Sequence, residues 1–168
     1  MAPTTSWRKY MAGLWSGLAG GFLVCFLACV VSGVVLALQY RPMGQVADNL
    51  QRITHLIPYG WFWRGIHYLS GQACAVLALL HVARYLSQSL PGRAGAIQWA
   101  RLIGCLALCF GLLFTGFLLQ GGQEALLAAR VLTSTLESLP LAGGLFARAL
   151  IGEGDTVFFL PYLHHCVF

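Results

Sequence analysis

Three apolar runs, at about residues 13–39, 61–86 and 101–119, dominate this chain of 168 residues, and each is long enough to cross hydrocarbon as a helix. Crossing about 30 Å of acyl chain takes about 20 apolar residues at about 1.5 Å each. A core of this size could not enclose three such runs. Hydrophobic residues make up 58% of the chain, charged residues 9%, and the mean hydropathy is +0.74. In lipid every backbone polar group must find its partner within the protein, so the runs are expected to be helices. A fourth apolar run begins near Thr156 and reaches Phe168, too short to span as it stands. Trp7-Arg8-Lys9 has the look of a secretory leader. The run that follows is much longer than the roughly 7–15 residues of a signal-peptide core, so it reads as a retained first helix.

Charge placement gives a sidedness. If the first helix enters from the cytoplasm, that side receives Arg8, Lys9, Arg84, Arg93 and Arg101 and no acidic residue. The opposite side receives Arg41, Arg52, Arg64, Arg130 and Arg148 together with Asp48, Glu124, Glu137, Glu153 and Asp155. The basic residues tie between sides, and their tight placement beside helix ends favours a cytoplasmic N-terminus. Membrane-flanking arginines account for the net charge of +5, so no nucleic-acid partner is expected. Cys25, Cys29, Cys74, Cys105, Cys109 and Cys166 all lie in apolar segments without a Cys-x-x-Cys or Cys-x-x-Cys-His pattern, and read as packing residues.

The second run carries the feature with chemistry in it. His67 and His81 stand fourteen residues apart. Fourteen helical steps return a side chain to within roughly 40° of its start and advance it by about 21 Å. The two imidazoles therefore share one face, one near each leaflet. An ionisable side chain at this depth marks function by default, and neutral imidazole is a standard axial ligand of haem iron. His55 falls in a polar connecting segment and reads as an exposed residue.

Between the spans, Val46, Leu50, Ile53 and Ile57 recur every three to four residues, which predicts an amphipathic surface helix over about 44–56. Residues 123–151 predict two short helices, about 123–138 and 143–151, broken at Pro140 and Gly143-Gly144. Leu90-Pro91-Gly92-Arg93-Ala94-Gly95 is the one tight connection. Gly13, Gly17 and Gly21 recur every four residues and predict close helix packing, with room for a flat macrocycle as the alternative. Isolated Gly33 and Gly116, both at about the depth of His67, fit the macrocycle better.

Several stretches, in order, resemble cytochrome b, the haem-bearing membrane subunit of quinol:cytochrome c oxidoreductases and their photosynthetic relatives. Val31-Ser32-Gly33 through Gln39-Tyr40 resembles the end of that family's first helix. Tyr59-Gly60-Trp61, Arg64-x-x-His67 and His81-Val82-x-Arg84 resemble its second. Phe114-Thr115-Gly116-Phe117 and Gln123 resemble the end of the third helix and the start of the quinol-side loop, and Thr133 to Pro140 the paired surface helices. The likeness covers about residues 15–168.

The resemblance implies an all-α integral membrane four-helix haem-binding bundle, with three full spans, the start of a fourth and short amphipathic surface helices. It implies two b haems, with His67 a ligand of the outer, low-potential one and His81 a ligand of the inner one. Arg64 and Arg84 match basic residues near the haems, where a propionate partner suits a guanidinium fork; snorkelling at the helix ends is the alternative. Gly33 and Gly116 match glycines that pass the outer haem, and Gln123 belongs to the quinol side. The fourth helix supplies the opposite ligand, His164 or His165. Leu163 before the first favours His164, and Tyr162 three residues before the second favours His165, toward which the balance leans slightly.

The departures concentrate on the inner site and the quinol loop. Ala19 and Leu102 stand where the family has glycines beside the inner haem, with Gly104 a substitute only if the helix shifts. That haem's second ligand is expected one further helical span past Phe168. Phe158 and Phe159 occupy the neighbourhood of an arginine, and Gln120-Gly121-Gly122 replaces Pro-Trp-Gly. The function implied is electron transfer from quinol to quinone or another acceptor, in a dimeric complex with the C-terminal half of cytochrome b, a Rieske-type iron–sulfur protein and a c-type cytochrome. The chain would not catalyse alone, and an energy-transducing membrane such as the bacterial cytoplasmic membrane is its expected place. The alternatives are a di-haem anchor of a quinone-linked dehydrogenase or reductase, and a haem-poor structural subunit.

Overall fold

The computed structural model describes residues 6–88 and 95–168, and the regular structure among them is entirely helical. Helices α1 (Ser6–Ala37), α2 (Val46–Leu56), α3 (Gly60–Gln88), α4 (Ala96–Leu118), α5 (Gln123–Glu137), α6 (Gly143–Leu150) and α7 (Phe159–Val167) follow in order, with one 3-10 turn at Gly154–Thr156 before α7. Within the long helices, Gly17–Ala37, Gly60–Leu86 and Ala96–Leu118 have mean hydropathies of 2.5, 1.4 and 2.0 and are long and apolar enough to cross a membrane. They display their apolar side chains outward. Val24 and Val34 on α1, Leu69 and Val76 on α3, and Ile103 and Leu108 on α4 are exposed. Apolar surface on this scale needs lipid as its solvent.

Helix α3 is the centre of the bundle, with α1 packed along it and α4 against it. Helix α4 starts at Ala96, ahead of the apolar run, where Tyr85 meets Trp99 edge-on at 5.3 Å and donates to Gln98 Oε1 at 2.8 Å. The tight connection expected at 90–95, Arg93 included, lies outside the described residues except for Gly95. Within the glycine stripe of α1, Gly21 approaches α3. A Cβ on Gly13 or Gly17 would meet nothing within 4 Å among the described residues, and one on Gly21 only Leu77 at 3.8 Å.

The short helices gather at the end of the bundle where α1 stops and α3 begins. Helix α2 buries Val46 and Ile53, seven residues apart, and exposes Gln51, Arg52 and His55, so one stripe faces the protein. Two close approaches clamp it. Gly60 lies against the Ile53 carbonyl, and Gly121, at φ 67, leaves no room for a Cβ beside Ala47 and Val46. Leu118, Ala129 and Ile151 form the buried cluster that joins α4, α5 and the end of α6, with Phe114, Leu132 and Val157 around it.

Two tyrosines dock α7. Tyr162 stacks on Tyr40 at 5.4 Å, and the Tyr40 hydroxyl donates to the Leu119 carbonyl at 2.7 Å. That carbonyl is among those a helix C-terminus leaves without an intrahelical partner. Burial, with Tyr162 alongside as the smaller cause, pushes the Tyr40 phenol well above its ordinary value, so it stays a neutral donor. Tyr40→Phe keeps the stack and is expected to cost about 1 kcal/mol by leaving the carbonyl unsatisfied. A raised folded-state value means this proton-linked stability is full below about pH 10 and is lost as pH rises through the folded value. Unfolding midpoints in detergent should therefore fall above that pH in the wild type, and this component should be missing in Tyr40→Phe. Identical profiles for the two proteins would remove Tyr40 from the docking of α7.

Candidate functional site

His67 sits about two turns into α3, facing α1. Its Nδ1–H donates to the Cys29 carbonyl at 2.9 Å. The Ser32 hydroxyl, wholly buried, donates to the Ala28 carbonyl at 2.6 Å and to the Cys29 carbonyl at 3.0 Å, and lies 3.5 Å from the same ring nitrogen. The Cys29 thiol stands 3.6 Å from Nδ1 and points to the His67 carbonyl at 3.7 Å. Gly33 makes this approach possible, since a Cβ there would lie 2.9 Å from His67 Cε1. With Nδ1 as the donor, the neutral ring carries its lone pair on Nε2.

His165 on α7 repeats the arrangement against α4. Thr115 Oγ1 lies 3.0 Å from His165 Nδ1. The Thr115 proton is turned back on its own helix, toward the Gly111 carbonyl at 2.9 Å and the Leu112 carbonyl at 3.1 Å. The hydroxyl oxygen therefore accepts from Nδ1–H, and the lone pair again falls on Nε2. A Cβ on Gly116 would lie 3.0 Å from His165 Cε1. The two imidazoles meet edge to face, centroids 5.9 Å apart and planes at 73°. The helix bodies are packed elsewhere, α7 on α4 and α6, and α3 on α1, α2 and α4.

This donor set suits a haem. Two imidazoles with Nδ1 turned to acceptors could hold a haem iron between them through Nε2, and each stands against a glycine that leaves its helix flank bare. No larger set of metal-binding side chains competes, since no group of three or more His, Cys, Asp or Glu comes together among the described residues.

The other sequence-predicted residues fall in different places. His164 turns away from this pair and stacks on Phe168 at 5.9 Å. Arg64 is half-buried, and its Nη1 donates to Thr54 Oγ1 at 2.8 Å, tying α3 to α2. His81 is exposed toward the far end of α3, with half-buried Arg84 one turn beyond. The remaining histidines lie on α2, on α7 or at the other end of α3, so none is a second ligand at the His81 level among the described residues. Ala19 is exposed and Leu102 half-buried, while a Cβ on Gly104 would meet nothing within 4 Å. Gln123 opens α5, exposed, and lines a cavity of about 350 Å³ with Phe117, Gln120, Gly122, Glu124 and Ala125.

Residues 8–163 match the family described as Cytochrome b/b6/petB. The chain belongs to the cytochrome b/b6 family. It is 32% identical over 127 residues to cytochrome b6 of Heliobacterium modesticaldum, covering 75% of this chain and 60% of that protein. Cytochrome b6 of Gloeobacter violaceus is 28% identical over 139 residues, 80% of this chain and 63% of its own length. Cytochrome b of Mycosarcoma maydis is 28% identical over 130 residues, 77% of this chain and 33% of its own. The chain thus spans about 60% of the length of the cytochrome b6 relatives it matches. Membership in this family implies haem b binding in a membrane.

Sequence reasoning read Cys29 as a packing residue and gave Ser32, Thr115 and Tyr40 no role of their own. A signal for the first two is present in the chain: each isolated glycine of the site is immediately preceded by a hydroxyl residue, Ser32-Gly33 and Thr115-Gly116.

Proposed function

We propose that this chain carries electrons across a membrane as the haem-bearing part of a quinol:cytochrome c oxidoreductase-like complex. The observation that supports this most directly is the facing pair His67 and His165, each with Nδ1 beside an acceptor on a neighbouring helix and each set against a glycine of a neighbouring span. His67 and His165 hold the outer haem, and His81 supplies one ligand of an inner haem. Held there, haem b would supply one-electron ferric–ferrous chemistry.

The chain's own residues bind, orient and insulate. Cys29 and Thr115 take the Nδ1 protons, which fixes the tautomers and keeps Nε2 available. Gly33 and Gly116 keep the helix flanks clear. Arg64 and Arg84, at the two ends of α3, would offer guanidinium forks to propionates, Arg64 beside its bond to Thr54. Gln123, which lines an open depression at the His67 end, would stand on the quinol side. Electrons taken from quinol there would be delivered along α3 toward the His81 end, about 21 Å away by helical rise. The C-terminal half of cytochrome b, a Rieske-type iron–sulfur protein and a c-type cytochrome complete a dimeric complex in an energy-transducing membrane such as the bacterial cytoplasmic membrane.

Pyridine haemochrome quantitation of the purified complex tests this reading. Two b haems per chain are expected. One per chain would confine the relay to the His67 site, and none would overturn it.

A further inference from the structure

We propose that Thr115 is the positioning residue of the His67–His165 site, and that its hydroxyl sets both the plane of the His165 ring and the reduction potential of the group held there. The inference rests on the haem reading above. It starts from an asymmetry between the two rings. His67 gives its Nδ1 proton to a backbone carbonyl, that of Cys29 at 2.9 Å, which no substitution removes. His165 gives its proton to a side chain, Thr115 Oγ1 at 3.0 Å.

Three features make that hydroxyl a directed acceptor. Its own proton is held by the carbonyls of Gly111 and Leu112, at 2.9 and 3.1 Å, so the oxygen lone pairs are turned to the imidazole. The β-branched threonine has few side-chain rotamers in a helix, one of which carries this bond back to the preceding turn. Thr115 also adjoins Gly116, whose missing side chain lets the ring come this near. The Leu112 carbonyl faces the same imidazole as a second acceptor, so the ring keeps one backbone partner when the hydroxyl is removed. With the hydroxyl gone the ring would be free to turn wholly toward that carbonyl, and the 73° between the two imidazole planes would change.

An acceptor on the outer nitrogen of a metal-bound imidazole makes the ligand more basic. A more basic ligand stabilises ferric over ferrous iron and lowers the potential. Removing the hydroxyl should therefore raise the potential of this site and leave the His81 site unchanged.

The test is Thr115→Val, matched in shape and lacking the acceptor, beside Thr115→Ser, in the complete complex. Redox titration of the b absorbance gives the potentials, and low-spin ferric EPR g-values report the angle between the two imidazole planes. The expected result for Thr115→Val is an upward shift of the low-potential component with altered g-values, and wild-type behaviour in Thr115→Ser. Wild-type potential and g-values in Thr115→Val would overturn the proposal while leaving the haem reading intact. If Thr115→Val loses that haem altogether, recovery in Thr115→Ser supports the hydroxyl's role, and loss in both variants overturns it. A wild-type complex free of b haem would defeat the underlying reading instead.

Discussion

His67→Ala is expected to remove the low-potential b signal completely and to leave the His81-dependent spectrum in place. The imidazole faces α1 at a level where α3 offers no substitute, because the next histidine on that helix lies fourteen residues on, about 21 Å by helical rise. Alanine cannot coordinate, and the Cys29 carbonyl and Ser32 hydroxyl, 3.0 Å apart, remain satisfied by each other. The helix should therefore persist while the site is lost. Redox-titrated difference spectra of membranes, with chain content checked by immunoblot, decide the matter. A surviving low-potential component at normal chain content would show that another residue holds the iron.

His165→Ala and His164→Ala should differ as sharply as two adjacent positions can. Neighbouring residues on a helix point about 100° apart, so one face of α7 serves the site and the other does not. His165 lies against Gly116, Thr115 and the His67 ring, whereas His164 stacks on Phe168. For His164 to take over, α7 would have to roll. The Tyr162–Tyr40 stack and buried Pro161 hold it in place. His165→Ala should reproduce the loss seen in His67→Ala, and His164→Ala should keep both potential and absorbance. The reverse pattern would reassign the ligand.

Much of the bundle is legible in the chain because its cause is local. An apolar run longer than a bilayer is thick must become a helix, whatever surrounds it. The stripe of α2 and the breaks at Pro140 and Gly143-Gly144 are equally local. What escaped the sequence depends on distant partners. Helix α4 begins at Ala96 rather than at the apolar boundary, where Tyr85 of α3 closes on Trp99 and Gln98. The Gly13, Gly17, Gly21 repeat has the spacing of a packing face, yet a Cβ on Gly21 would meet Leu77 at 3.8 Å while one on Gly17 would meet nothing within 4 Å among the described residues. Spacing states what a helix face could do, and the neighbouring helices decide whether it does it.

The site divides along the same line. Fourteen-residue spacing and the cost of imidazole in hydrocarbon are enough to single out His67 and His81, since both follow from one helix and its solvent. Between His164 and His165 the local neighbours Leu163 and Tyr162 give only a slight lean to His165, because adjacent residues differ chiefly in direction. Direction comes from the roll of α7, and that roll is set by Tyr40, which the chain places far away in sequence and the fold places beneath Tyr162. The same holds for which ring nitrogen carries each proton: the acceptors, the Cys29 carbonyl and Thr115 Oγ1, belong to other helices. Solvent and chain length dictate that this protein is a helical membrane bundle with histidines at depth. Only packing turns two of those histidines into a facing pair.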